Sequence, residues 1–172
     1  MEKRFYWALV GLLAFSLPVV ADAAQLTLKP SAAAAVVGGT FTVSISLDTE
    51  GEPVNAIDIT LTFPADKLQV VSPSLGRSVV SVWTAPPYFN NATGNLHFQG
   101  GIPGGINVKD GLLSTITFRA KQPGSAVVKF DSDSQILAHD GKGTDVLTDT
   151  QSGIFDVILP PPEGPLIASE TH

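Results

Sequence analysis

The chain of 172 residues contains no cysteine, and charged side chains make up only 15% of it. The absence of cysteine excludes a disulfide framework, a zinc–thiolate site and a cysteine nucleophile. Three histidines leave little material for a histidine metal site or a catalytic triad, and no Gly-x-Ser-x-Gly nucleophile motif is present. Ten basic residues against sixteen acidic ones give a net charge of −6. Because binding to phosphates requires clustered Lys and Arg, nucleic acid is not an expected partner. The composition therefore predicts neither an enzyme nor a nucleic-acid-binding protein.

The amino terminus has the order of a secretory signal. Lys3 and Arg4 supply a positive region, Phe5 to Val20 is apolar except for one Ser and one Pro, and Ala21-Asp22-Ala23 supplies small residues for cleavage. The apolar run is shorter than the roughly 20 residues that span a bilayer. We expect residues 1–23 to be a signal peptide, so that the mature chain is secreted or at the cell surface and has no transmembrane segment.

Most of the remaining chain alternates apolar with polar residues, which is typical of strands with one buried face. The alternation is clearest over Phe41 to Asp48, Ile57 to Phe63, Leu112 to Arg119 and Ala126 to Phe130. Shorter predicted strands are Leu26 to Lys29, Leu68 to Val71, Ser78 to Trp83, Leu96 to Gln99 and Ile154 to Leu159.

Glycine and proline punctuate these strands and leave little room for helices. Turns are predicted at several Gly-rich sites, among them Gly38-Gly39 and Gly100 to Gly105. Ala32 to Ala35 is the only helix-like stretch and is too short to form a stable helix. About nine strands joined by turns predict an all-β, two-sheet antiparallel sandwich over residues 24–159. Residues 160–172 begin with a stiff Pro-rich spacer, which acts as a tether or leads to a further module.

Two features suggest possible ligands, and each has a plainer alternative. Asp131 and Asp133 are spaced as in calcium loops, but the segment lacks the Gly and the Glu that complete an EF-hand, so the alternative is a solvated acidic turn. Trp83, Tyr88 and Phe89 could stack on sugar rings if they are exposed, or could form a hydrophobic plug at the end of the sandwich.

Five segments taken together resemble the cohesin domain. They are Val37–Val43, Val54–Pro64 followed by Leu68–Val71, Gly94–Gly101, Leu112–Lys121, and Ile136–Leu147 with its Leu-Ala-His-Asp-Gly-Lys-Gly-Thr loop. The last segment is similar to the corresponding loop of non-cellulosomal cohesins, with His139 in place of the usual Asn. The resemblance extends over nearly the whole mature chain.

The resemblance implies a nine-stranded jelly-roll sandwich that is not an enzyme and that binds dockerin modules, which are small calcium-dependent helical pairs. Calcium would then belong mainly to the partner. The docking sheet of such domains implies here the segments Asn55 to Phe63, Ser78 to Trp83, Asn95 to Gly101 and Ala126 to Leu137. Asp58 lies where the third strand of cellulosomal cohesins often carries an Asp that contacts the dockerin.

Strand alternation places a set of short polar groups on the solvent face of that sheet: Asp58, Thr60, Thr62, His97 and Gln99. Such groups on rigid strands suit hydrogen bonding to a helix laid across them. The alternatives to dockerin binding are a carbohydrate-binding module that contacts polysaccharide directly and a structural domain of the cell envelope.

Overall fold

The structure, a computed structural model, describes residues 23–162. The predicted signal peptide therefore lies outside the described residues except for Ala23, as do residues 163–172 of the predicted tail. The described part contains twelve strands and no α-helix. The strands are β1 (Ala24–Pro30), β2 (Ala34–Val36), β3 (Thr40–Asp48), β4 (Val54–Thr62), β5 (Leu68–Ser74), β6 (Val82–Asn90), β7 (Asn95–Ile106), β8 (Gly111–Ala120), β9 (Gly124–Phe130), β10 (Gln135–Ala138), β11 (Leu147–Gln151) and β12 (Gly153–Ile158).

These strands form the predicted two-sheet sandwich. One sheet has the order β11-β1-β3-β8-β5, and the other has the order β2-β12-β9-β4-β7-β6, with β10 also pairing with β4. All strand pairs are antiparallel except β1 with β11 and β2 with β12. These two parallel pairs join the beginning of the domain to its end, which closes the sandwich without helical crossovers.

The core lies between the two sheets and is built from the inward-facing residue of every alternating pair. Phe98, Phe118 and Phe155 are the largest fully buried side chains. Phe118 stacks on Phe41 at a ring-centroid distance of 5.8 Å, and Phe63 meets Phe118 edge-on at 5.5 Å. This apolar layer lets a domain without disulfides fold on its own hydrophobic interior.

Two predicted boundaries on the seven-stranded sheet are wrong. The strand predicted at Ser78 to Trp83 begins at Val82 and continues through Pro86 and Pro87 to Asn90. These prolines are tolerated because β6 is an edge strand that pairs only with β7. The predicted turn at Gly100 to Gly105 is instead the second half of β7, and Gly100 and Gly101 pair with β4 on one side and β6 on the other.

Three short strands account for the difference between the twelve observed strands and the nine predicted ones. The helix-like stretch Ala32 to Ala35 contributes to β2, which adds to the sheet beside β12. Strand β10 begins one residue before the segment Ile136–Leu147, and β11 begins at the last residue of that segment. None of the three exceeds five residues, so none is long enough to show a clear alternation in the sequence.

A gap in the strand pairing along one edge of β4 lies beside the candidate site. The edge of β4 that faces away from β7 pairs with β10 near its start and with β9 near its end. Between them, the buried Ser134 hydroxyl accepts from the Thr60 amide and donates to the Thr60 carbonyl, both at 3.1 Å. The Asp131 amide also donates to the Thr60 carbonyl at 2.8 Å. The Ser134 side chain therefore bridges the gap in the ladder at this edge of β4.

Among residues 23–162, no helix has the length and hydrophobicity required to cross a membrane.

Candidate binding face

The candidate site is the outer face of β4 and β7, at the centre of the seven-stranded sheet. Ile59 and Phe98 point into the core and are fully buried. The five predicted face residues alternate with such core residues and are each partly exposed: Asp58, Thr60, Thr62, His97 and Gln99. The strand register sets Asp58 directly opposite Gln99 and Thr60 directly opposite His97. Directly opposed residues lie on the same face of an antiparallel pair, so the sheet brings the predicted residues together.

Asp58, His97 and Gln99 form one hydrogen-bonded group, which we call the Asp58 cluster. His97 donates through Nε2 to Asp58 Oδ1 at 2.8 Å, and the Gln99 amide donates to Asp58 Oδ2. The Asp58 side chain retains 32% of its accessible surface and that of His97 retains 40%. The carboxylate is thereby held in one orientation, while its remaining lone pairs face solvent and can accept from a bound partner.

The two threonines of the face differ in what they offer. Thr60 is half-buried, and its backbone is held by Ser134. The hydroxyl oxygen of Thr62 is buried and has no hydrogen-bond partner among residues 23–162. Thr60 is therefore available at the centre of the face, whereas the Thr62 hydroxyl is withdrawn from the surface on which it was predicted.

The structure does not bring the three candidate aromatic residues onto one exposed surface. Trp83 packs against Phe98 edge-on, with ring centroids 5.9 Å apart, and Phe89 also packs against the core. Tyr88 alone points to solvent, is 72% exposed, and pairs with His97 across the strands. Trp83 and Phe89 are separated by an even number of positions along β6, so both face inward and Tyr88 faces outward. A stacking platform of three rings is therefore not formed.

Asp131 and Asp133 lie in the exposed loop between β9 and β10. Hydrogen bonding with Asp133, through its side chain and then its amide, lowers the pKa of Asp131 below its ordinary value, with a smaller contribution from Ser132. The nearby Asp145 accepts from the amides of Ile136 and Leu147 at 3.1 and 3.0 Å. Residues 23–162 contain no group of three or more His, Asp or Glu side chains arranged to hold a metal ion. In the loop itself, the Asp131 carboxylate accepts from the Asp133 amide at 3.5 Å, and the Asp133 carboxylate accepts from the Ser132 hydroxyl at 3.4 Å.

A shallow depression that was not predicted from the sequence lies beside the Asp58 cluster. It has a volume of about 250 Å³ and is lined by Ala56, Ile57, Asp58, Thr84, Gln99, Gly100, Gly101, Gln135 and Leu137. Gln135 lies directly opposite Asp58 on the β10 side of β4, which extends the polar row to three strands. The Gly100-Gly101 pair was the available signal, because glycine inside a strand marks a close approach or an open space.

Comparison with known proteins identifies what this sandwich resembles. A family model described as Cohesin domain matches residues 25–154. No curated protein matches the chain. The fold also resembles several solved structures, all at low sequence identity.

One is a novel type I cohesin–dockerin complex from Clostridium thermocellum, with a TM-score of 0.65 and 11% identity over 81% of this chain and 96% of the other. Another is the cohesin module of a family 33 glycoside hydrolase from Clostridium perfringens, with a TM-score of 0.64 and 13% identity over 81% and 99%. A third is a non-cellulosomal cohesin from the hyperthermophilic archaeon Archaeoglobus fulgidus, with a TM-score of 0.63 and 19% identity over 79% and 91%. At these identities the likeness shows a shared fold.

Proposed function

The chain belongs to the cohesin domain family, and on that premise we propose that it is a non-catalytic module that binds a dockerin through the outer face of β6, β7, β4 and β10. The observation that carries the proposal is the Asp58 cluster, a carboxylate fixed by two side-chain donors at the centre of that face. Structural relatives described as cohesin–dockerin complexes support the identity of the partner.

The dimensions of the face suit a helical partner. Strands of nine residues at about 3.3 Å per residue are roughly 30 Å long, and four strands at about 4.8 Å spacing are roughly 15–20 Å wide. A helix with its side chains is about 10 Å across, so the face accommodates one helix fully and part of a second. Because strands hold their side chains in fixed positions, the polar groups are already arranged before the partner binds.

The proposal includes the predicted context of the domain. Residues 1–23 would direct export, the domain would act outside the cell or at its surface, and residues 160–172 would tether it. Calcium would be required by the dockerin and not by this chain.

The test is isothermal titration of the purified chain with a broad panel of dockerins, in calcium and in EDTA. We expect a subset to bind only in calcium, while the melting temperature of the chain alone is the same in both buffers. Asp58→Ala should weaken binding by about tenfold to a hundredfold, because it removes a charge-assisted contact at the centre of the interface.

Asp110→Ala is the matched control, since Asp110 is a paired carboxylate just before β8 of the other sheet, where it bonds to Lys29 of β1. It should leave the affinity unchanged. Failure of every dockerin to bind, or equal effects of the two substitutions, would contradict the proposal. A single exposed ring, Tyr88, does not favour polysaccharide binding as a second function, and unretarded migration in cellulose, xylan and chitin gels would agree with that reading.

A further inference from the structure

The depression beside the Asp58 cluster is open because of one glycine. Gly101 lies in a row of directly opposed residues that runs from Val82 through Gly101 and Ala56 to Leu137. Val82 is exposed at one end of the row, Leu137 is half-buried at the other, and the two residues between them are the smallest that a chain can carry. The floor of the depression is therefore apolar and low at Gly101 and Ala56, and the longer side chains of Val82 and Leu137 stand at its two ends.

The fold itself does not require glycine at position 101. A Cβ atom added there would meet only the Asn55 carbonyl oxygen at 3.8 Å, which is an ordinary contact, and the backbone is outside the left-handed region. The adjacent Gly100 is different, because its Cβ would lie 2.4 Å from Val80 Cγ1 and 2.9 Å from the Val82 carbonyl oxygen. Glycine at position 100 is therefore required for the close packing of β7 against Val80 and Val82. At position 101 the lack of a side chain has one consequence, which is that the depression stays open.

The rim of the depression carries a negative charge beside this apolar floor. Gln99, Asp58 and Gln135, which form one row across β7, β4 and β10, line the depression along one side. Within residues 23–162 the only ion pairs are Lys29 with Asp110 and His97 with Asp58, so no Lys or Arg neutralises Asp58. The volume of about 250 Å³ is several times the roughly 30 Å³ of a water molecule, so it admits a side chain.

We propose that this depression is a socket for one lysine or arginine side chain of a docked helical protein, with the aliphatic stem on Ala56 and Leu137 and the cationic head on Asp58. Long basic side chains combine an apolar stem with a charged end, which matches a floor and rim of this kind. A purely aliphatic side chain would cover the exposed part of the Asp58 carboxylate without adding a donor to those of His97 and Gln99, which is unfavourable. The net charge of −6 also favours approach by a basic surface. The inference rests on the proposed function only for the identity of the partner.

The test is a selection that assumes no dockerin. A display library of two-helix proteins with randomised surface positions is selected on the purified chain, with Gly101→Leu as the competitor in solution. Clones that prefer the parent chain by about tenfold or more should carry a Lys or Arg at one helix position. Changing that residue to Met, or Asp58 to Asn in the chain, should each remove most of the preference.

Circular dichroism and thermal melting establish that Gly101→Leu remains folded, and Asp58→Asn supplies the same test without changing the shape of the floor. Selective clones without a basic residue, or no selective clones at all, would overturn the socket. In the dockerin panel, a dockerin whose affinity is unchanged by Gly101→Leu also overturns the socket and leaves the proposed function intact. If clones with a Lys or Arg prefer the parent chain over Gly101→Leu while no dockerin binds, the result supports the socket and counts against the proposed function.

Discussion

The two faces of the β4–β7 pair have different roles: the inner face forms part of the core, and the outer face carries the candidate binding site. The inner face presents large apolar side chains such as Ile59 and Phe98, which are inaccessible to solvent. The outer face of the same strands presents Asp58, His97 and Gln99, where His97 and Gln99 both donate to the partly exposed Asp58 carboxylate. Because side chains alternate at every residue, adjacent positions have opposite roles. The difference indicates that stability and recognition can be changed independently by substituting neighbouring residues.

The largest expected effect on the free energy of unfolding comes from removing a large apolar side chain from the inner face. Phe98→Ala removes a fully buried ring that packs edge-on with Trp83, and we expect it to lower the free energy of unfolding by about 3–5 kcal/mol. The matched variant Gln99→Ala, one residue along the chain, should change it by less than about 1 kcal/mol. Urea unfolding followed by tryptophan fluorescence measures both. Equal losses in the two variants would show that the faces are not energetically separate.

Two adjacent glycines sharpen the comparison without changing any polar group. Gly100→Ala places a methyl group against Val80 and the Val82 carbonyl, and we expect a loss towards the upper end of about 1–3 kcal/mol. Gly101→Ala meets only an ordinary contact at 3.8 Å and should be neutral or stabilising by up to about 1 kcal/mol, since alanine restricts the unfolded chain. The reverse order of stabilities in urea would refute the account of the depression given above.

An exception to the division is Ser134, a polar residue whose role is in the backbone ladder. Ser134→Ala leaves the Thr60 amide without its acceptor, while the Thr60 carbonyl keeps the Asp131 amide. We expect a loss of about 1–2 kcal/mol, because a buried donor without a partner keeps its desolvation cost. The exposed Ser132→Ala is the control and should change stability by less than about 0.5 kcal/mol. Faster amide exchange at Thr60 in Ser134→Ala alone would locate the effect, and unchanged exchange would contradict it.

The sequence was sufficient for the sandwich because the longer strands each have one buried face. Strands β3, β4 and β9 alternate strictly enough that their inward residues could be predicted from the sequence. In β8 this holds for Ile116 and Phe118, whereas Leu112 is only half-buried and Leu113 is buried, beside a bulge that shifts the register against β3. The sequence was insufficient where one local pattern is compatible with two structures, such as a glycine-rich segment that can form a turn or part of a strand. Gly100 to Gly105 has the composition of a turn, yet these residues continue β7, in which Gly100 allows close approach to Val80 and Val82 while Gly101 leaves an open space.

The candidate site was predictable only in part for a related reason. Alternation places Asp58, His97 and Gln99 on one face, but the bonds among them depend on the register of β4 against β7, which no pattern within one strand specifies. Gln135 was missed because it follows a loop, and its pairing with β4 depends on the gap that Ser134 bridges. The choice between a sugar-stacking surface and a hydrophobic plug for Trp83, Tyr88 and Phe89 could not be made from the sequence, because it depends on the bounds and register of the irregular edge strand β6.

The smallest expected effect tests whether outer-face charge contributes to stability on the other sheet. Lys29 donates to Asp110 at 2.6 Å, and this hydrogen bond, followed by one from Ser46, lowers the pKa of Asp110 below its ordinary value. A carboxyl whose pKa is lower in the folded state stabilises the fold above its unfolded pKa and loses that contribution as pH falls through its folded pKa. Both side chains are largely exposed, at 49% and 64%, so solvent screening limits the contribution of the ion pair to about 0–1 kcal/mol.

Asp110→Asn should therefore lower the free energy of unfolding by less than about 0.5 kcal/mol at neutral pH and low salt. The difference from the parent chain should shrink in concentrated salt, and also as acid protonates Asp110 in both folded and unfolded states. A difference that grows in acid would mean that the ion pair is not its cause, and one as large as that of Phe98→Ala would remove the distinction between the faces.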